Sequence, residues 1–284
     1  MKRSQILILV FLLLLFFFAA FWKHGFILSE GQPVSDTTEN HDRTALLEFR
    51  DHYSQASALQ NDQQYETAAH WYEKALALNH DHEGTLYNLG NVNLLIKEFS
   101  EAEKYWRRLS QINPRSARAW LQLGTLYFCR DDQNSKFNPQ LAKENYLKAS
   151  DLNREETGPL LKLSKLAVFE KKYPEAEKYA DIVLAQNYRS YQAYFLKGYI
   201  EWKKGNESAS SEILSESKNL FDSYQQVKMA GEGATAKGSG PMLSGDMYCD
   251  FFGTEIELVL EDYKEPDPRQ VFKQFERRIF EELP

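Results

Sequence analysis

Residues 83–127 read EGTLYNLGNVNLLIKEFSEAEKYWRRLSQINPRSARAWLQLGTLY, and within that stretch the pattern begins to copy itself. Leu89-Gly90 returns 34 residues later as Leu123-Gly124. Upstream, Tyr65 and Ala68 return at the same interval as Phe99 and Ala102. A fixed period of this length marks helical hairpins stacked side by side, because no single hairpin buries its apolar face alone. Small Gly90 and Ala102 let the two helices of one unit approach closely, while Trp106, Trp120 and Tyr146 have the bulk to fill the space toward the next unit. The expected fold class is therefore all-α, an array rather than one closed core.

The register divides residues 44–220 into about five units: 49–82, 83–116, 117–156, 157–190 and 191–220. The third inserts six residues between Arg130 and Ala142, the fourth replaces the glycine by Ser164, and the fifth carries Ser210 and Ser217 at expected alanine positions. The run from Tyr65 to Leu76, together with Leu86, Leu89, Gly90, Ala102, Trp106 and the closing Asn113-Pro114, closely resembles the tetratricopeptide repeat, a likeness that covers about 170 of the 284 residues. That resemblance implies a helical-hairpin solenoid whose first helices line a concave face. The face corresponds here to Tyr87, Asn91, Leu94, Arg118, Leu121, Thr125, Phe128, Leu161, Lys165, Val168, Phe195, Tyr199 and Trp202. This aromatic and aliphatic surface suits an extended peptide or an amphipathic helix. Packing of the same face against the chain's own C-terminal segment is the competing expectation, because a large bare apolar face invites aggregation. Members that grip a terminal carboxylate do so with lysines and asparagines. Asn88 and Arg118 fit that pattern, but Tyr53 and Ser57 stand where the first Lys and Asn belong, so chaperone-tail recognition is not expected.

The two ends of the chain read differently. Ile6 to Trp22 is an uninterrupted apolar run after Lys2 and Arg3. A helix over residues 4–23 would rise about 1.5 Å per residue and just span a hydrocarbon core of ~30 Å. It exceeds the ~7–15 apolar residues of a cleaved leader. Phe18 and Phe21-Trp22 also surround Ala19-Ala20, where a cleavage site needs small residues. The expectation is a retained transmembrane signal-anchor at 4–23, with residues 1–3 cytoplasmic by the positive-inside rule, a flexible tether at 24–43 and the array on the far side, in a bacterial periplasm or cell exterior. Residues 221–246 read as the end of the last helix and a glycine-rich linker. In 247–284, Ile256, Leu258 and Leu260 alternate with glutamates and suggest a strand, with a turn at Phe252-Gly253-Thr254. Asp267-Pro268 then opens an amphipathic helix carrying Val271, Phe272, Phe275 and Ile279. The tail thus reads as a small α+β extension.

The formal charge is −7, and once the three basic residues of 1–23 are set aside, 31 basic face 41 acidic residues. Such a balance repels nucleic acid and anionic headgroups, so membrane contact is expected only through 4–23. Cys129 and Cys249 lie in different segments, and two packed free thiols are the default expectation, with a disulfide open in an oxidising compartment. His80-Asp81-His82 lacks a third metal ligand. Asp131-Asp132-Gln133-Asn134 has Lys143 where a calcium loop needs a glutamate, and Gly231-x-Gly233 lacks the Gly-Lys-Ser/Thr of a phosphate loop. No cofactor, metal or catalytic residue is expected. The reading is a membrane-tethered adaptor for protein or peptide partners, similar to periplasmic tetratricopeptide proteins that assist export, envelope assembly or cytochrome maturation. A permanent assembly subunit of a membrane complex and an organellar receptor with cytosolic repeats are the alternatives.

Overall fold

The computed structural model describes residues 36–131, 136–234, 249–263 and 267–281. The chain divides into two compact units, Met1–Leu47 and Glu48–Pro284. Of the first, only the opening of helix α1 (Asp36–Asn61) is described, with Leu46 and Leu47 exposed. The helix already begins inside the segment expected to be a tether. The expected anchor at 4–23 lies outside the described residues. Among the described residues no helix is long and apolar enough to cross a membrane.

In the second unit, α1 is followed by α2 (Tyr65–Leu78), α3 (Glu83–Leu95), α4 (Phe99–Ile112), α5 (Ala117–Tyr127), α6 (Pro139–Leu152), α7 (Gly158–Phe169), α8 (Tyr173–Gln186), α9 (Tyr191–Lys203) and α10 (Glu207–Ala234). From α2 onward each helix packs on the next, and α7 also meets α9, so the odd-numbered first helices form one side of the stack. Close approach at each hairpin crossing explains the repeat. A Cβ added to Gly90 would overlap the indole of Trp106, which is fully buried and donates from Nε1 to the Tyr87 carbonyl at 3.3 Å. A Cβ on Gly124 would lie 2.5 Å from Cδ1 of Tyr146. Where serine replaces the small residue, its hydroxyl is absorbed by the opposite helix. Ser164 donates to the Ala176 carbonyl at 2.8 Å, and Ser210 donates to the Gly198 carbonyl at 2.9 Å. Both bonds join partners twelve residues apart, on opposite sides of the same crossing, so the buried hydroxyls are satisfied rather than orphaned.

The turn between the helices of a unit is equally repetitive. Gln63, Lys97, Lys171 and Gly205 take positive φ, and the amide one residue later bonds back five residues, as in Glu98 N to Asn93 O at 2.8 Å and Lys172 N to Ala167 O at 2.8 Å. This is the Schellman closure of a helix C-terminus. The third unit keeps its equivalent across the six-residue insertion: Asn138 N donates to Tyr127 O at 2.7 Å. The insertion is therefore an excursion from a closed turn. Its return is held by Glu103, which accepts from Tyr127 Oη and Arg107 Nε at 2.7 Å and pairs with Lys136 at 2.9 Å. Burial pushes the Glu103 carboxyl up, but Lys136, Tyr127 and Arg107 outweigh it and bring it down to about 2.

The C-terminal segment departs from expectation. Phe251–Glu261 is a helix, α11, and among the described residues there is no strand. The residues that alternate also satisfy a helical face: Phe252, Ile256, Val259 and Leu260 are buried, while Leu258 is only half-buried. Gly253 belongs to the first turn rather than to a hairpin, its amide capped by Asp250 Oδ1 at 3.1 Å. A second helix, α12 (Pro268–Glu276), starts as expected at Asp267, whose carboxylate accepts from Arg269 N at 3.0 Å, and runs into a π-helical turn at Arg277–Glu281. Cys129 and Cys249 form a disulfide with Cα atoms 4.6 Å apart, correcting the expectation of free thiols. Sequence cannot find this pair, because the folding of α11 against the end of α5 is what brings the two together.

Two measurements check this account. Gly90→Ala should destabilise by about 1–3 kcal/mol through overpacking against Trp106, read as a lower urea midpoint with unchanged m-value. For Glu103 the folded pKa lies below the unfolded value. Its contribution is thus present above pH 4.5 and lost as pH falls toward about 2. The stability gap between wild type and Glu103→Gln, on the order of 2 kcal/mol at pH 7 after allowing for solvent around Arg107, should close across that window.

Candidate protein-binding face

The thirteen expected groove residues all fall on first helices or at the end of one. Tyr87, Asn91 and Leu94 come from α3; Arg118, Leu121 and Thr125 from α5, with Phe128 at its end; Leu161, Lys165 and Val168 from α7; and Phe195, Tyr199 and Trp202 from α9. They do not share one environment. At Phe128, Lys165, Phe195, Tyr199 and Trp202 the face is occupied by the C-terminal segment.

The occupied half is a continuous aromatic cluster. Phe128 meets Phe251 and Phe252 at ring separations of 5.1 and 6.0 Å, and Phe195 meets Phe272 and Phe275 at 5.3 and 5.0 Å. Tyr199 and Trp202 stack around Phe272 at 5.7 and 5.8 Å. Phe169, which the positional pattern missed, touches Phe251, Phe252 and Phe280. Polar contacts ring this core. Lys165 is 1% exposed and its ammonium sits 2.6 Å from Asp250, with Lys162 at 3.4 Å from the same oxygen. Burial pulls the Lys165 ammonium down, opposed by the Asp250 charge. Burial pushes Asp250 up, yet Lys162, Lys165 and the Gly253 amide hold it well below the usual carboxylate range. Tyr199 donates to Glu276 at 2.8 Å, Lys203 reaches the same oxygen at 2.8 Å, and Arg130 donates to the Ile279 carbonyl at 3.1 Å. Burial first, then hydrogen bonding, raises the Tyr199 phenol far above its ordinary value. Both carboxylates of this set, Asp250 and Glu276, belong to the C-terminal segment, which nothing in the repeat period singles out.

The other half is more open and more polar. Arg118, with 48% of its side chain exposed, lies 4.8 Å over the Tyr87 ring and 3.8 Å from Glu83. Tyr87 is half-buried and its hydroxyl accepts from Gln122 Nε2 at 3.3 Å. Asn91, Leu94, Leu121 and Thr125 are buried, and Asn91 Oδ1 has no hydrogen-bond partner. Asn88 donates to Tyr53 and Tyr72, each at 3.1 Å, and Tyr72 donates to Gln60 at 2.8 Å. The one asparagine that fits a carboxylate clamp is thus committed to two tyrosines, one of them standing where the clamp lysine would be. His82 serves the backbone: its Nδ1 accepts from Thr85 N at 3.1 Å as the cap of α3. Asp131 pairs with Lys97 at 2.9 Å, while residues 132–135 of the same loop lie outside the described residues.

The hairpins with their glycine crossings and Schellman turns define a tetratricopeptide-repeat solenoid. In agreement, residues 161–214 match the family model for the tetratricopeptide repeat. Among solved structures the chain is similar to MamA (17% identity, TM-score 0.52, covering 60% of this chain and 96% of that one). It is also similar to pilF of Pseudomonas aeruginosa (21% identity, TM-score 0.52, covering 68% and 92%). These likenesses establish the fold. No curated protein matches the sequence.

Asp250→Asn should cost about 3–5 kcal/mol, because Lys165 then stays buried without its counter-charge. The double variant Lys165→Met/Asp250→Asn should recover part of that loss in the same urea titration.

Proposed function

We propose that this chain is a non-catalytic adaptor that binds a protein or peptide on the open part of its first-helix face, held beside a membrane by residues 4–23. The supporting observation is the contrast along that face. From Phe128 onward the rings are covered by α11 and α12, whereas Arg118 is exposed and Tyr87 only half-buried. An aromatic ring under an exposed guanidinium offers hydrogen bonds and stacking to a polypeptide rather than a reaction centre. The tether rests on the apolar run and its flanking charges, with the N-terminus cytoplasmic and the array across the membrane. The Cys129–Cys249 bond fits an oxidising compartment on that far side. A tether there raises the effective concentration of the array toward membrane-bound partners.

A photo-crosslinking residue replacing Tyr87 in the full chain should give a discrete adduct in cells, and Arg118→Glu should abolish it. No adduct, or one indifferent to Arg118, sinks the assignment of this face. Alkaline extraction of membranes checks the tether: the chain should stay in the pellet, and its release to the supernatant removes that part of the reading.

A further inference from the structure

The pair α11–α12 lies on the first-helix face of the third to fifth hairpins as a ligand would, and three successive residues fix its entry. Cys249 is bonded to Cys129 just beyond α5. Asp250 meets Lys165 and Lys162 on α7. Phe251 packs its ring on Phe128 and Phe169. Farther along, Glu257 accepts from Tyr191 at 2.5 Å and Glu276 accepts from Tyr199 and Lys203, with Phe272 and Phe275 between. The receiving face therefore presents rings flanked by ammonium and phenol donors. Its occupant presents phenylalanines flanked by carboxylates along an amphipathic helix. Only the disulfide is covalent, and every other contact is open to a second polypeptide of the same chemistry.

We propose that this face is a binding site for a phenylalanine-rich, acidic amphipathic helix, filled in the oxidised chain by residues 249–263 and 267–281, and that the Cys129–Cys249 bond decides whether the occupant can be exchanged. The proposal stands apart from the role given to Tyr87 and Arg118. While the bond is intact the start of α11 cannot leave α5, so an incoming helix meets a filled face. A dithiol reductant supplies two electrons and two protons, leaving Cys129 and Cys249 as thiols and itself as the disulfide. The internal helices then hold their place only by contacts for which a partner competes on equal chemical terms, and occupancy follows relative affinity and concentration.

The test uses the full chain, oxidised or reduced with dithiothreitol, and a fluorescein-labelled peptide of residues 250–281, which carries no cysteine. Anisotropy should show saturable binding at least tenfold tighter to the reduced chain. A peptide carrying Glu276→Lys, which would face Lys203 while the internal helix keeps its own Glu276, should bind severalfold more weakly. Hydrogen exchange on the same samples should show residues 251–281 losing protection on reduction while α3–α6 keep theirs. The proposal is overturned if the peptide binds both forms alike, or if the Glu276→Lys peptide binds as tightly as the parent peptide. Retained protection of 251–281 after reduction also overturns it. So does a joint loss of protection in 251–281 and α3–α6, which would make the bond a staple for the whole array.

Discussion

Everything in this molecule depends on how closely two helices pass within each hairpin. At Gly90 and Gly124 the facing residues are Trp106 and Tyr146, both essentially fully buried, and their rings occupy the volume a side chain would need. The aromatic ring does two jobs at once: it fills the crossing within its own hairpin and belongs to the apolar cluster that continues into the next one. Because interiors are packed as densely as organic crystals, this fit sets the spacing of successive hairpins and hence the surface their first helices present. Serine at positions 164 and 210 shows how the constraint is relaxed without a penalty. The extra atom is polar, and the facing carbonyl accepts its hydrogen bond.

The consequence at the other end of the chain is that the solenoid does not finish where its repeats finish. The last first helices carry Phe195, Tyr199 and Trp202, and α11–α12 supply the apolar surface that covers them. Terminal repeats need a polar outer face or a cap; here the chain returns and also fills the inner side. The covalent bond at Cys129 and the buried Lys165–Asp250 pair sit together at the point of entry. Burying that ammonium is costly on its own, so the pair specifies where α11 begins as much as it adds stability.

Much of this was legible from spacing alone. The period marked out the hairpins and their crossings, since a 34-residue repeat carries every position with it, while the residues of the first-helix face came from the resemblance to the tetratricopeptide repeat. The amphipathic helix at Asp267-Pro268 was legible because cap, proline and apolar stripe agree. The strand at Ile256 was misread for a physical reason: the same residues satisfy a period of two and a helical face. Capping of Gly253 by Asp250 is what a window of apolar residues does not register. Phe169 and Glu276 were missed as site residues because they matter only through a segment with no repeat partner.

The amino-acid order alone therefore determined the all-helical array and its internal register, because close packing of like units imposes small and large residues at constant intervals along the chain. Only the tertiary structure decided which part of the first-helix face stays open and that Cys129 meets Cys249 120 residues away. Both depend on where a non-repeating segment docks, and docking is set by complementary surfaces distant in sequence, which local periodicity does not encode.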